Sequence, residues 1–389
     1  MENKKNNGIQ ALVVTAIIIL VVIAGIGVVL NYVPLSDIFN TQPKVQEKVS
    51  KEVTVTDEGI ADAVDKLYDA TVIVKVSKDG KSISGWGSGF VYKKDNNDAY
   101  ILTNHHVVDG ARDIGVEMSN GTVVDSTLVG SDEFADVAVL KINASSVLEV
   151  AEIGESENLR VGDTVFAIGT PVSLDYSFTV TRGILSGKNR LVEMKSSSSS
   201  SNGYSFFGGS REQKSTDSWY MKLLQIDASI NSGNSGGPLA NCNGEVVGIT
   251  NSKLSSSYSQ TSIENIGFAI PIEDALEVAS NIESGKTTST SDKPTLGVSM
   301  TDVSGASANN ISLPDSVKTG AVVVEVMDDS NASRAGLKSG DVIIKYDDYE
   351  ITDFKHLKYY LFKSKKGDKV RITYLRDGKE RTTDLTLKN

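Results

Sequence analysis

The sequence is poor in the residues that build disulfide and metal sites. Among 389 residues there are one cysteine, Cys242, and three histidines. A single cysteine cannot form an intrachain disulfide. Structural zinc sites need four Cys or His ligands, and no such set stands together in this sequence. We therefore expect no metal and no cofactor, and a fold stabilised by its packed cores alone.

Positive charge is also in deficit. The chain has 39 Lys and Arg against 50 Asp and Glu, a formal net charge of −11. Nucleic acids and anionic lipid surfaces bind basic proteins, so this balance disfavours both as partners. The length suffices for about three compact units.

One long apolar run stands near the N-terminus. Residues 9–30 contain no charged residue and are rich in Ile, Val and Leu. At about 1.5 Å per residue, a helix of this length spans the ~30 Å hydrocarbon core of a membrane. Lys4 and Lys5 precede the run, so residues 1–8 are expected in the cytoplasm. We expect a single-pass anchor with the later domains outside the cytoplasm, and residues 31–54 as a polar stalk. A cleaved signal peptide is the alternative.

The most informative local pattern is Gly233–Pro238, which reads Gly-Asn-Ser-Gly-Gly-Pro. Glycines on both sides of Ser235 allow a sharp turn that exposes the hydroxyl and aims backbone N–H groups at one point. Such a turn offers a nucleophile and an oxyanion hole for acyl transfer. An ordinary surface loop has the same composition, so the turn alone does not settle its role.

A serine nucleophile needs a base and an orienting acid. His105 and His106 follow an apolar strand, from whose end an imidazole can project, whereas His356 stands in a helical pattern typical of a surface helix. A buried or metal-binding role for the His pair is the alternative. Asp136 opens a β-prone run, and the chain order His, Asp, Ser is one of those known for catalytic triads.

Seven segments extend this pattern: Gly87–Phe90, Thr103–Val107, Asp136–Lys141, Thr179–Ser186, Asp227–Asn231, Gly233–Leu239 and Ile266–Pro271. In this order they resemble the HtrA/Deg family of serine proteases. The resemblance implies an all-β, chymotrypsin-like double β-barrel at residues 55–285 and a linker at 286–292. It also implies an α+β PDZ domain at 293–389.

The resemblance assigns roles to particular residues. Ser235 would be the nucleophile, His106 rather than His105 the general base, and Asp136 the residue that orients the imidazole. The N–H groups of Gly233 and Ser235 would form the oxyanion hole, with Asn234 shaping the turn.

Specificity and control are also implied. Residues 228–234 carry no carboxylate, so a pocket built from them should not select Lys or Arg, and the resemblance implies cleavage after small aliphatic residues. Asn234 stands where digestive proteases have an Asp that captures a new N-terminus. Control is therefore expected from loop ordering and from the PDZ domain. The Ser-rich stretch 196–210 is expected to be a regulatory loop, and a neutral insertion is the alternative.

The C-terminal part contains two PDZ-like patterns. Residues 333–346 contain Ala-Gly-Leu followed by Gly-Asp-Val-Ile, and a carboxylate-binding loop is expected at Thr295, Leu296, Gly297 and Val298. Such a domain adds a C-terminal or apolar peptide to a sheet edge. A small α+β domain without a ligand is the alternative.

The predicted function is an ATP-independent, membrane-anchored serine endopeptidase that degrades misfolded or damaged exported proteins. By resemblance the chain is expected to form homotrimers. The alternative is a holdase or a PDZ adaptor with little proteolysis.

Overall fold

A computed structural model describes residues 57–195, 218–252, 265–286 and 293–388, all within one compact unit, Val55–Asn389. The predicted anchor at 9–30, the Ser-rich stretch at 196–210 and most of the predicted linker lie outside the described residues. In the part of the chain that is described, no helix is long and apolar enough to cross a membrane.

The N-terminal part is a seven-stranded antiparallel sheet preceded by a helix. The strand order is β5-β4-β1-β2-β3-β7-β6. The elements are α1 (Asp57–Tyr68), β1 (Thr71–Ser77), β2 (Gly85–Lys94), β3 (Asp98–Thr103), α2 (His105–Val108), β4 (Asp113–Met118), β5 (Val123–Asp125), β6 (Thr127–Asp132) and β7 (Val137–Asn143).

A closed six-stranded barrel follows, with the cyclic order β10-β13-β12-β11-β8-β9. A helix after its last strand packs against both sheets. The elements are β8 (Thr164–Gly169), β9 (Thr179–Lys195), β10 (Ser218–Ile226), β11 (Pro238–Asn241), β12 (Val246–Asn251), β13 (Gly267–Pro271) and α3 (Ile272–Glu283).

A third, six-stranded sheet forms the C-terminal part, with the order β14-β15-β16-β18-β19 and β17 paired to β16. The elements are β14 (Val298–Asp302), β15 (Ala321–Val326), α4 (Asn331–Arg334), β16 (Val342–Tyr346), β17 (Tyr349–Glu350), α5 (Phe354–Lys363), β18 (Lys369–Arg376) and β19 (Lys379–Thr386).

Strand β7 explains how the first sheet and the barrel meet. It is buried on both faces, and alternate residues enter different cores. Val137 and Val139 join the core that also contains barrel residues such as Phe166, whereas Ala138 and Leu140 join the core of the first sheet alone. The start of β7 is thereby fixed at the junction, where the site lies.

The predicted double barrel is found in part. The second sheet closes, but the first is an open sheet whose edge strands β5 and β6 each pair with one neighbour. The β-prone run Val123–Val129 predicts one strand, but the structure has two, β5 and β6. Both the N–H and the hydroxyl of Ser126 bond the Ile114 carbonyl, so the chain leaves β4 there and β6 pairs instead with β7.

The histidine pair lies on a short helix, not at a strand end as expected. Helix α2 begins at His105, directly after β3. The first N–H groups of a helix lack partners within it, and the carboxylate of Asp136 accepts the one from His106 at 2.9 Å. Asp136, which lies just before β7, therefore caps the start of this helix.

The C-terminal sheet contacts the barrel through α5. The ring of Phe362 lies 5.1 Å from that of Phe134 and stacks on Trp219 at 6.0 Å, centroid to centroid. Lys363 forms an ion pair with Asp274 at 2.8 Å. An aromatic contact flanked by an ion pair thus joins the two parts.

Candidate active site

Asp136 is the most tightly held residue of the site. It precedes β7 with a φ of 52°, and only 4% of it is exposed. Its main-chain carbonyl accepts from Asn104 Nδ2 at 2.8 Å. Its carboxylate accepts from the His106 main-chain N–H, from His106 Nδ1 at 2.7 Å and from Asn251 Nδ2 at 2.6 Å.

These bonds decide the charge of Asp136 and the tautomer of His106. Burial alone would raise the pKa of the Asp136 carboxyl. The hydrogen bonds from His106 and Asn251 outweigh burial and hold that pKa below its usual value. An ionised carboxylate only accepts hydrogen bonds, so Nδ1 of His106 carries a proton, and in the neutral imidazole Nε2 is then the acceptor.

The other two histidines lie elsewhere. The His105 ring bonds the hydroxyl of Ser131 at 2.9 Å and makes no contact with the Asp136 carboxylate. His356 lies on α5 and bonds Thr352 and Asp353. Among the described residues no group of three or more His, Cys, Asp or Glu is arranged as a metal site.

The turn that carries Ser235 is fixed through its carbonyls. Four consecutive carbonyl groups accept hydrogen bonds from the surrounding strands and loops: Ser232 from the Val172 N–H, Gly233 from Ser88 Oγ, Asn234 from Thr250 Oγ1 and Ser235 from the Ser88 N–H, at 2.7–2.8 Å. Since all four carbonyls are engaged, the peptide planes of the turn cannot rotate without breaking a bond.

Two N–H groups of the same turn are available. Within the described chain, the N–H groups of Gly233 and Ser235 donate to no acceptor, whereas that of Asn234 donates to the Asn231 carbonyl at 3.0 Å. Gly233 has a φ of 102°, and a Cβ there would lie 2.0 Å from the Thr170 carbonyl oxygen, so only glycine fits. An oxyanion hole requires unpaired N–H donors close to the nucleophile, and these two N–H groups meet that requirement.

The Ser235 hydroxyl points to Ser252. Its Oγ lies 2.5 Å from Ser252 Oγ and accepts from the Ser252 N–H at 3.0 Å. Among the described residues no hydrogen bond joins Ser235 to His106 Nε2. For an imidazole at His106 to take the proton of this hydroxyl, the hydroxyl would first have to leave Ser252.

Residues 228–234, which lead into the turn, carry no carboxylate. Asp227 is the nearest carboxylate upstream, and its Oδ1 accepts the Ile184 N–H at 2.6 Å. A Cβ on Gly183 would lie 2.2 Å from the same oxygen, so β9 passes directly over this carboxylate. The carboxylate of Asp227 is thus hydrogen-bonded to the backbone of β9.

Comparison with known proteins assigns the chain. A trypsin-like peptidase domain matches residues 87–249 and a PDZ domain matches residues 294–387. The serine protease Do-like HtrA of Lactococcus lactis subsp. lactis is 39% identical over 315 residues, which cover 80% of this chain and 72% of that protein. The chain belongs to the HtrA family of serine proteases. The chain is accordingly a serine endopeptidase with a trypsin-like domain and one PDZ domain.

Two further comparisons also place the chain in the HtrA family. The HtrA of Bacillus subtilis is 40% identical over 310 residues, which cover 78% of this chain and 64% of that protein. The solved structure of the HtrA-type protease AlgW with a tripeptide superposes with a TM-score of 0.63 at 30% identity. It covers 85% of this chain and 96% of the AlgW chain.

The predicted peptide-binding loop leads into the first strand of the HtrA chain's PDZ domain. Leu296 is buried, Gly297 has a φ of 70° and Val298 begins β14. The Thr295 carbonyl accepts from Asn331 Nδ2 at 2.6 Å, and the Leu296 carbonyl accepts the Ala332 N–H. The loop is therefore anchored to α4 through its carbonyls.

Sequence reasoning missed four residues of the HtrA site. Ser88 lies in the family-like segment Gly87–Phe90, but the sequence gives no sign that its side chain bonds the Ser235 turn. Asn251 is the last residue of β12 and Ser252 follows it, and such a polar pair at the end of an apolar strand is too common to single out. For Val172 the sequence carries no signal, because its role rests on its backbone.

Proposed function

We propose that this HtrA-type endopeptidase uses Ser235 as nucleophile, His106 as general base and Asp136 as the residue that orients the imidazole. The 2.7 Å bond between His106 Nδ1 and Asp136 carries this proposal. It places the proton of the neutral imidazole on Nδ1, so Nε2 of that form is the acceptor, on a ring held by a buried carboxylate. His105, whose ring bonds Ser131, has no such partner.

The steps follow from these positions. When a substrate carbonyl enters the site, the Ser235 hydroxyl leaves Ser252, gives its proton to His106 Nε2 and attacks the carbonyl carbon. The negative charge that develops on the carbonyl oxygen is bound by the N–H groups of Gly233 and Ser235. Asp136 stabilises the imidazolium. His106 then protonates the leaving amine, and water hydrolyses the acyl-enzyme by the same route.

The proposed substrate preference rests on the residues that precede Ser235 in the chain. Residues 228–234 carry no acid, and the nearby Asp227 carboxylate is bonded to β9. A Lys or Arg side chain would lose hydration without a counter-charge, whereas a small aliphatic side chain loses nothing. We propose cleavage after Val, Ala or similar residues.

We further propose that residues 9–30 anchor the protein in the cell membrane, with residues 1–8 in the cytoplasm and both domains outside. Proteolysis there proceeds without ATP and acts on misfolded or damaged exported proteins. The family relationship supports this role and also a homotrimer. N-terminal sequencing of the mature protein tests the anchor. If residues 9–30 belonged to a cleaved signal peptide, the mature protein would begin after residue 30.

Regulation is proposed to pass through the PDZ domain and the Ser-rich stretch 196–210. Phe362 of the PDZ domain packs on Phe134, which lies two residues before Asp136, and on Trp219 of β10. Strand β10 begins at Ser218 and is the next described strand after the Ser-rich stretch. Peptide binding near α5 can therefore act on the acid of the triad through one aromatic contact. Deleting residues 196–210 should change basal or peptide-stimulated activity.

A fluorophosphonate label tests the core of the proposal. The label should react with Ser235, as mapped by mass spectrometry, and Ser235→Ala should neither react nor cleave unfolded casein. A wild-type protein that binds unfolded casein but neither reacts with the label nor cleaves would instead be a holdase or adaptor.

A further inference from the structure

Asn331 is a buried side chain whose hydrogen-bonding groups are all used. It is the first residue of α4, next to the loop predicted to bind a peptide carboxylate, and only 2% of it is exposed. Its Nδ2 donates to the Thr295 carbonyl at 2.6 Å and to the Lys388 carbonyl at 2.7 Å. Its Oδ1 accepts from the Lys388 N–H at 2.9 Å and from Arg334 Nη2 at 2.7 Å. A side-chain amide has two N–H donors and two acceptor lone pairs, so all four are engaged.

Lys388 is a firmly held partner for this amide. It follows Leu387, which is fully buried and is bonded to the turn before β18. The Leu387 N–H donates to the Asp368 carbonyl at 2.8 Å, and the Leu387 carbonyl accepts the Gly367 N–H at 2.7 Å. The Asn331 amide pairs with both the N–H and the C=O of Lys388, as a residue of a neighbouring antiparallel strand does. Asn331 therefore ties the predicted carboxylate-binding loop to a segment that is held independently of that loop.

The loop has three bonded carbonyls and two unpaired N–H groups. Its successive carbonyls accept hydrogen bonds at 2.6–2.9 Å from α4 and from the segment that precedes it: Thr295 from Asn331 Nδ2, Leu296 from the Ala332 N–H and Gly297 from the Met327 N–H. Within the described chain, the N–H groups of Leu296 and Gly297 donate to no acceptor. Loop N–H groups of this kind bind the carboxylate of a peptide C-terminus.

Asn331 sets the direction of one of these two N–H groups. The Thr295 C=O and the Leu296 N–H belong to one trans peptide unit and point in opposite directions. The bond from Asn331 to the Thr295 carbonyl therefore turns the Leu296 N–H to the side opposite Asn331. The other two carbonyls of the loop are bonded by backbone N–H groups, which most substitutions leave in place. Among the three described donors, Asn331 is thus the side chain that a substitution can remove.

We propose that Asn331 is a positioning residue for carboxylate recognition by the PDZ domain. The inference rests on the proposed binding of peptides to this domain. Through its four hydrogen bonds Asn331 couples the fixed position of Lys388 to the loop and aims the Leu296 N–H at the carboxylate of the bound peptide. Without the Asn331 amide, the unit that joins Thr295 and Leu296 can rotate, and the carboxylate loses one of its two donors. The strand that the peptide adds to the sheet edge does not depend on this unit.

The binding of one peptide as its free acid and as its amide tests the proposal. The probe is a fluorescein-labelled peptide that ends in Leu-Leu-Val, and its binding is followed by fluorescence anisotropy. The protein is the full chain carrying Ser235→Ala to prevent cleavage of the probe. In this background Asn331→Ala should weaken the binding of the acid by roughly tenfold to hundredfold, which corresponds to one hydrogen bond to a charged group. Binding of the amide should change much less, because the amide has no carboxylate.

Two further variants separate positioning from a general loss of structure. Ser330→Ala removes the hydroxyl that caps α4 by accepting the Ser333 N–H at 3.0 Å, but it leaves the bonded carbonyls of the loop untouched. This variant should lower the melting temperature and keep the preference for the acid. Lys388→Pro removes the N–H that fixes Asn331 Oδ1, at an exposed residue beyond the last strand. It should reduce the preference for the acid by roughly twofold to tenfold, which corresponds to one neutral hydrogen bond.

The proposal is overturned if Asn331→Ala keeps the preference for the acid, or if acid and amide are weakened by the same factor. An equal loss of preference in Ser330→Ala would also overturn it. Should Asn331→Ala fail to fold, an unchanged preference in Lys388→Pro overturns it instead. A failure of the proposed peptide binding is distinguishable, because the protein with Asn331 intact would then bind the acid no more tightly than the amide.

Discussion

Replacing Asn251 with alanine removes one donor from Asp136, the acid of the proposed triad. Asn251 is fully buried, and its Nδ2 donates to Asp136 at 2.6 Å, to the same oxygen that bonds His106 Nδ1. A hydrogen bond to a charged group contributes about 1.5–3 kcal/mol to stability. The Asn251 Oδ1 is buried without a partner among the described residues, and its removal offsets part of the loss. We expect a net destabilisation of about 2 kcal/mol.

The expected loss of stability depends on pH in a direction that can be tested. The carboxyl of Asp136 has a pKa below its usual value in the folded protein. Its stabilising bonds are therefore fully present above the unfolded pKa of about 3.9 and are lost as the pH falls through the lower folded pKa. At about 2–4 °C per kcal/mol for a domain of this size, Asn251→Ala should lower the melting temperature by about 4–8 °C at pH 7. The difference should shrink as the pH falls below the unfolded pKa and the carboxyl of Asp136 becomes protonated.

Asn104→Ala is the matched control. Asn104 is equally buried and also donates to Asp136, but to its main-chain carbonyl, which does not titrate. Its loss should lower the melting temperature by an amount that does not depend on pH. Thermal melts of the three proteins at pH 7 and pH 3 make the comparison. A pH-independent difference for Asn251→Ala, or none, would refute the reasoning.

Three further predictions concern the nucleophile, the oxyanion hole and the PDZ domain. Ser252→Ala removes a hydroxyl that competes for Ser235, and a neutral hydrogen bond of about 0.5–1.5 kcal/mol predicts a kcat increased by roughly twofold to tenfold. A decrease in steady-state assays would mean that Ser252 assists catalysis. Gly233→Ala places a Cβ against the Thr170 carbonyl, and kcat should fall about 10²–10³-fold with KM nearly unchanged; an equal rise in KM would point to a lost substrate site. Peptides with apolar C-termini should bind residues 293–389 in fluorescence titrations, and equal binding of their amides would exclude carboxylate capture.

The sequence predicts the elements of this fold well where its pattern is local. Apolar residues at helical spacing predict a helix over 56–69, which is found at Asp57–Tyr68. The β-prone runs at 71–77 and 321–326 predict strands, which are found with those bounds. Alternating apolar residues in β7 reflect two cores, and both are found. Closure of the first sheet is not local, because it depends on whether edge strands meet, and that expectation failed.

The sequence also predicts candidate residues for the site but not the groups that hold them in place. The order His, Asp, Ser and the glycines around Ser235 identify the chemistry, because those residue types are scarce here or tightly constrained. The partners Ser88, Asn251 and Val172 contribute ordinary hydroxyl, amide and backbone groups. Such groups occur throughout the chain, and only the fold selects the ones that reach the site.

The central claim is that His106, held by Asp136, is the base that activates Ser235. The most direct measurement compares kcat/KM on unfolded casein for His106→Ala and His105→Ala. The neighbouring rings differ mainly in partner, since one bonds Asp136 and the other Ser131. We predict a loss of about 10⁴-fold or more for His106→Ala and near wild-type activity for His105→Ala. The reverse result, or equal losses, would contradict the account.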